Sequence, residues 1–153
     1  MAAYFLDTSA LVKRYATETG TAWVTGLIAP SAGNLILVAR ITGVETVAAI
    51  ARKRKGNLLS PADAVTALVT ARQELGGLFL IVEVTAALLT AATDLAEKHA
   101  LRGYDAVQLA AALEASAERQ RLNLTPLTLV TADKELLAAG AAEGLTVDDP
   151  NNH

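Results

Sequence analysis

Four carboxylates in this 153-residue chain keep company that surface acids usually avoid: Asp7, Glu45, Asp105 and Asp133. Asp7 ends the short apolar run Ala3 to Leu6. Thr8 and Ser9, hydroxyl residues suited to opening a helix, follow it at once. Leu11, Val12 and Tyr15 then recur at spacings that share one helical face. Glu45 borders an apolar stripe made by Ile41, Val44, Val47, Ala48 and Ala51. Asp105 opens a segment of almost wholly apolar neighbours, and Asp133 sits two residues past the run Leu127 to Thr131. Each has an ordinary structural reading. Asp7, Asp105 and Asp133 suit helix amino ends, where an acid is favoured by about 0.3–1 kcal/mol. Glu45 suits a solvated helix face. Three of the four, however, fall where a strand delivers the chain to a sheet's carboxyl edge or where a helix begins, and in open α/β sheets such positions share one crevice.

Carboxylates brought together there cannot all stay ionised unaided: repulsion raises some pKa values, or a cation binds. With four oxygen-donor side chains and no cysteine, the simpler outcome is a hard divalent cation, Mg²⁺ or Mn²⁺. Such ions bind phosphate oxygens and activate water for phosphodiester cleavage. The two histidines, His99 and His153, lie in a helical stretch and at the terminus, and neither is placed to act as general base.

The elements that must position these acids alternate along the chain. Apolar runs at Ala3–Leu6, Leu35–Val38, Leu78–Val82, Leu127–Thr131 and Leu145–Val147 read as strands covered on both faces. Helical patterns lie between them over Thr19–Ala29, with Thr19 or Thr21 as cap, Thr42–Lys55, Ser60 to Gly76-Gly77, Thr85–Ala100 and Asp105–Arg119. A short helix over Asp133–Ala139 is closed by Gly140. This alternation predicts an α/β class fold, a three-layer α/β/α sandwich with a central mostly parallel sheet. No linker, repeat or low-complexity segment divides the chain, so residues 1–153 are expected to form one domain.

Composition narrows the function. Apolar residues make up 52% of the chain, which predicts a large core; aromatics make up 4%, which excludes a base-stacking platform as the main recognition device. The formal net charge is −3, whereas a pure phosphate-backbone binder is basic, so any nucleic-acid substrate needs local cationic ground or bound cations. The densest such ground is Arg52-Lys53-Arg54-Lys55, with Lys13, Arg14, Lys98, Arg102, Arg119 and Arg121 scattered elsewhere. The absence of cysteine removes disulfides, zinc-thiolate sites and cysteine nucleophiles. Neither a signal-peptide pattern nor an apolar span of about 20 residues is found, so a cytoplasmic protein with no membrane partner is expected.

Taken together, Tyr4-Phe5-Leu6-Asp7-Thr8-Ser9-Ala10-Leu11-Val12-Lys13, the internal Glu45, Arg102-Gly103-Tyr104-Asp105-Ala106-Val107-Gln108-Leu109-Ala110 and Leu129-Val130-Thr131-Ala132-Asp133 resemble the PIN-domain family. Within it, this short chain is most similar to the VapC toxins of type II toxin–antitoxin modules. The resemblance covers Ala3 to about Pro150. It implies a magnesium- or manganese-dependent endoribonuclease in which Asp7, Glu45 and Asp105 form the acidic metal site, completed by Asp133 directly or through a water. It also implies that Thr8 and Thr131 support the acids or the scissile phosphate; Arg102, from the scattered cations, is a candidate substrate contact. Asp148 and Asp149 are a further acidic pair, equally readable as a solvated tail. The implied partners are an RNA substrate, a second copy in a homodimer and a VapB-type antitoxin whose carboxyl-terminal segment blocks the acidic groove. Leu11, Tyr15, Trp23 and Leu27 could line a groove for that peptide or simply pack in the core. Two other readings stand beside this one: a PIN-type RNA-processing nuclease with no toxin role, and a magnesium-binding receiver-like signalling module. The second fits less well, because only Asp7 follows the first strand where a receiver carries an acid pair.

Overall fold

The computed structural model describes residues 1–153. Five short strands form one sheet: β1 (Ala3–Leu6), β2 (Leu35–Ala39), β3 (Leu80–Val82), β4 (Leu127–Val130) and β5 (Thr146–Asp148). Their order is β3-β2-β1-β4-β5, and every pairing is parallel. In the central register Phe5 lies between Leu37 and Leu129. The helices are α1 (Thr8–Leu11), α2 (Thr21–Ile28), α3 (Arg40–Lys55), α4 (Pro61–Gly77), α5 (Ala86–His99), α6 (Gly103–Arg121) and α7 (Lys134–Ala142).

Side chains on a strand point alternately to the two faces, and this explains the continuous apolar runs. Phe5, Leu37 and Leu129 join α5, α6 and α7 in one core. Leu6, Val38 and Val130 join α1 and α2 in the other. Alanines at 92, 106, 110, 111, 112 and 115 let α5 and α6 lie close together over the first face. A smaller cluster, Ile50 with Ala64, Ala67 and Ala71, fastens α3 to α4. The result is the expected three-layer α/β/α sandwich, with a sheet that is wholly parallel. No helix is long and apolar enough to cross a membrane.

Several boundaries differ from expectation, each for a local reason. α2 starts at Thr21 behind Gly20, whose φ of +86° makes the turn, so neither Thr19 nor Thr21 caps it. Strand β3 is confined to Leu80–Val82, because Leu78 still continues the turn of α4 and its N–H reaches the Glu74 carbonyl. α6 begins at Gly103, which puts Asp105 in the first turn and not at the cap. Gly140 does not close α7 but lies inside it. A Cβ there would come within 2.7 Å of a Leu129 methyl, so the glycine permits α7 to press on β4.

Candidate active site

The chain lays down β1, β2 and β3 in one direction and then places β4 on the other side of β1. The carboxyl ends of β1 and β4 therefore flank the switch point where open α/β sheets hold their ligands. Asp7 follows β1 directly, and Thr131 to Asp133 follow β4. Glu45 reaches the same place from the second turn of α3, and Asp105 from the first turn of α6. All four acids line one pocket of about 300 Å³, together with Thr8, Ser9, Arg52, Arg102 and Gln108.

Asp7 is 3% exposed. Ser9 Oγ donates to its two oxygens at 2.8 and 3.0 Å, the Ala10 N–H donates to Oδ1 at 3.0 Å and Thr131 Oγ1 donates to Oδ2 at 2.9 Å. Asp7 thus caps α1 and lines the shared pocket at the same time. Burial nevertheless pushes its pKa up to about 6, and the nearby Asp105 adds to the rise against those hydrogen bonds. Thr131 Oγ1 also accepts the Asp133 N–H at 3.1 Å, and Ser9 Oγ accepts the Ala132 N–H at 2.9 Å. The loops after β1 and β4 are laced together through two hydroxyls.

Glu45 is held from the other side. Thr8 Oγ1 and Gln108 Nε2 each donate to its Oε1 at 2.9 Å. Gln108 also meets Thr42 Oγ1 at 2.9 Å and is 2% exposed. Gln108 and Ser9 are pocket residues that the chemistry-bearing types alone did not single out. The signal was there for Gln108: one amide inside the run Ala106 to Ala112, where a buried polar group needs partners.

Asp105 and Asp133 share a different partner. Arg102 Nε lies 3.1 Å from Asp105 Oδ2 and its Nη2 lies 3.0 Å from Asp133 Oδ2. Burial and the charge of Asp133 raise the Asp105 pKa, while Arg102 opposes the rise. Asp133 also caps α7, accepting the Leu136 N–H on Oδ1 at 2.9 Å.

A hard divalent cation suits this pocket by donor type, since its four acids and two hydroxyl residues offer oxygen, and by charge, since burial penalises the ionised forms of Asp7 and Asp105. In the arrangement seen, no group of three or more His, Asp or Glu side chains is placed to hold a metal ion. The acids are spread over hydroxyls, an amide and a guanidinium instead.

Other expected residues lie elsewhere. Asp148 pairs with His153, and Asp149 caps the final turn through the Asn151 N–H, so this pair does not line the pocket. His99 binds Glu143. Lys13 is buried, donating to the Thr19 carbonyl and Asn151 Oδ1; Arg119 is buried, donating to Thr125. Neither can meet a nucleic acid. Arg14, Lys53, Lys98 and Arg121 pair with Glu74, Glu18, Glu143 and Glu118. Arg52 lines the acidic pocket and also an open cleft with Arg54, Lys55 and Pro61. Of the four residues that could line a peptide groove or pack in the core, Leu11 and Leu27 are core, while Tyr15 and Trp23 are partly buried against it. The Tyr15 hydroxyl donates to Glu74, and Trp23 stacks on His153 at 4.1 Å.

The family model of the PIN domain matches residues 4–142, so the chain belongs to the PIN domain family and is a nuclease by family. No curated protein matches it. Solved structures share the fold. PAE2754 of Pyrobaculum aerophilum is 19% identical, with 99% of this chain and 91% of that one covered and a TM-score of 0.62. VapC20 of Mycobacterium tuberculosis, a toxin that cleaves the sarcin-ricin loop, is 17% identical over 94% of this chain and 96% of that one, with a TM-score of 0.62. VapBC2 of Rickettsia felis, bound to a DNA fragment from its promoter, is 17% identical over 96% and 98%, with a TM-score of 0.61.

Proposed function

We propose that this chain is a divalent-metal-dependent endoribonuclease and the toxin of a type II toxin–antitoxin pair. The observation that carries the reading is the gathering of Asp7, Glu45, Asp105 and Asp133 around one pocket at the switch point of a PIN domain. These four acids are the groups that would hold Mg²⁺ or Mn²⁺. Such an ion, when bound, neutralises charge on phosphate oxygen and makes water acidic enough to serve as nucleophile.

The chain's own residues do the positioning. Ser9, Thr131 and the Ala10 N–H orient Asp7, and Thr8 and Gln108 orient Glu45. Such supporting partners set the direction and basicity of ligand oxygens. Arg102, on the pocket wall, is available to a phosphate, whereas the hydroxyl proton of Thr8 is given to Glu45 and Thr131 is buried behind Asp7, so these two support the acids. Arg52 leads from the pocket to the cleft with Arg54 and Lys55, which gives an RNA backbone cationic ground on a chain of net charge −3. An acidic pocket also suits a cationic antitoxin segment by charge complementarity. The likeness to VapC20 and VapBC2 supports the toxin assignment and a VapB-type partner. A homodimer in the cytoplasm completes the reading.

Two substitutions test the chemistry. Asp7→Asn and Asp105→Asn should each abolish RNA cleavage and growth arrest while circular dichroism reports an intact fold. Full cleavage by chelator-stripped protein without added metal would refute the mechanism. Co-purification of a small partner encoded beside the chain separates a toxin from an RNA-processing nuclease of the same family.

A further inference from the structure

Arg102 holds a place that simple RNA contact does not explain. Its side chain is 76% exposed, yet its fork spans two acids carried by different elements: Asp105 in α6 and Asp133 at the start of α7. The oxygen it takes from each is Oδ2, at 3.1 and 3.0 Å. Those are two of the four acids assigned above to the cation, and with Arg102 between them no three acids are placed for a metal ion. Guanidinium is the side chain best matched to two oxyanions at once, whether carboxylate or phosphate. It is also exposed, and Asp105 and Asp133 are its side-chain partners, so no buried contact has to break for it to turn outward.

We propose that Arg102 exchanges partners: in the metal-free chain it serves as the internal counter-ion of Asp105 and Asp133, and in the loaded enzyme it turns to a phosphate of the RNA. The proposal rests on the nuclease reading and adds an antagonism to it. A carboxylate oxygen committed to the guanidinium is less available to a divalent ion, and linkage makes the competition reciprocal. A phosphate held near the pocket then gives the released fork an alternative partner of the same geometry. The consequence runs against the usual effect of damaging a site. Removing a residue that merely supports the fold leaves metal affinity unchanged or weaker; removing Arg102 tightens it.

The test uses the full chain, stripped with chelator, as wild type, Arg102→Ala and Arg102→Lys. Mn²⁺ binding is titrated by calorimetry, and affinity for mixed-sequence single-stranded RNA is measured at saturating Mn²⁺. Arg102→Ala should bind Mn²⁺ on the order of tenfold more tightly and RNA on the order of tenfold more weakly. Arg102→Lys, a cation without the fork, should fall between. Because the side chain is exposed, neither variant leaves a cavity. Unchanged or weaker Mn²⁺ binding by Arg102→Ala overturns the exchange, as does unchanged RNA affinity. If that happens while wild type still cuts RNA only with metal, the nuclease reading stands and the exchange alone falls. If Mn²⁺ tightens and RNA weakens but no metal restores cleavage to wild type, the exchange stands and the nuclease reading falls.

Discussion

Asp7 shows how a site residue is held in an uncomfortable state. Its carboxyl is buried, and even with donors on both oxygens its pKa rises from the ordinary 3.8 to about 6. A group raised in the folded state favours the protonated form. Its contribution to stability is therefore full below pH 3.8 and is lost as pH climbs through about 6. A shift of that size corresponds to about 3 kcal/mol. In chelator, Asp7→Asn should therefore be more stable than wild type at pH 8, by up to about 3 kcal/mol, with the advantage gone at pH 4. Urea unfolding at the two pH values checks this, and equal stability at both would contradict it. Metal acts in the opposite sense, since ligands bind deprotonated. Added Mn²⁺ should stabilise wild type above pH 6 and leave Asp7→Asn nearly unmoved. Activity and metal-free stability thus pull on this one carboxyl in opposite directions.

Among the elements, α6 is the one that ties the site together, and it does so through Gln108. That amide, 2% exposed, joins Thr8 in α1 with Thr42 and Glu45 in α3. Replacing it with leucine keeps the volume and removes the donor. Gln108→Leu should remain folded, losing about 1–3 kcal/mol because the threonine hydroxyls and Glu45 lose a buried partner. Cleavage should fall about 10–100-fold, as when other outer partners of metal ligands are removed. Thermal melts and initial rates measure the two losses separately; an unchanged rate would show that Glu45 needs no such partner. The α3 segment itself keeps its cationic end, Arg52 to Lys55, at the helix carboxyl terminus where positive charge is favoured. Of these, Lys53 is spent on Glu18, which leaves Arg52, Arg54 and Lys55 to face a nucleic acid.

At the scale of the whole molecule, the carboxyl-terminal turn is a clasp. Asn151 receives the buried Lys13 ammonium at 2.9 Å, His153 stacks on Trp23, and Gly20 lies against Pro150. A Cβ at Gly20 would come within 2.2 Å of the Pro150 carbonyl oxygen, and its φ is +86°. Gly33 has a similar φ of +66° but open space around it. Gly33→Ala should therefore cost only the left-handed strain, about 1–2 kcal/mol. Gly20→Ala should cost clearly more, because it must also push the clasp away. The difference between the two, read from denaturant midpoints, reports what the clasp contributes; equal losses would mean that it contributes nothing.

The primary sequence by itself determined the alternation of strand and helix, the layered α/β class, the location of Asp7 and Asp133 at strand-to-helix junctions and that of Asp105 near a helix start. Apolar runs, hydroxyl caps and glycine stops act over a few residues, so their message is local and readable. It overreached where a local sign met a distant contact. Gly140 looked like a helix stop and is a contact with Leu129, while Lys13 and Arg119 looked like surface cations and are buried anchors. Tertiary structure alone decided that Glu45 turns to the pocket, that Gln108 holds it across 63 positions and that Arg102 spans two acids 28 residues apart. These depend on which segments the sheet order brings side by side. That order is set by the free energy of the packed whole, which no single segment encodes.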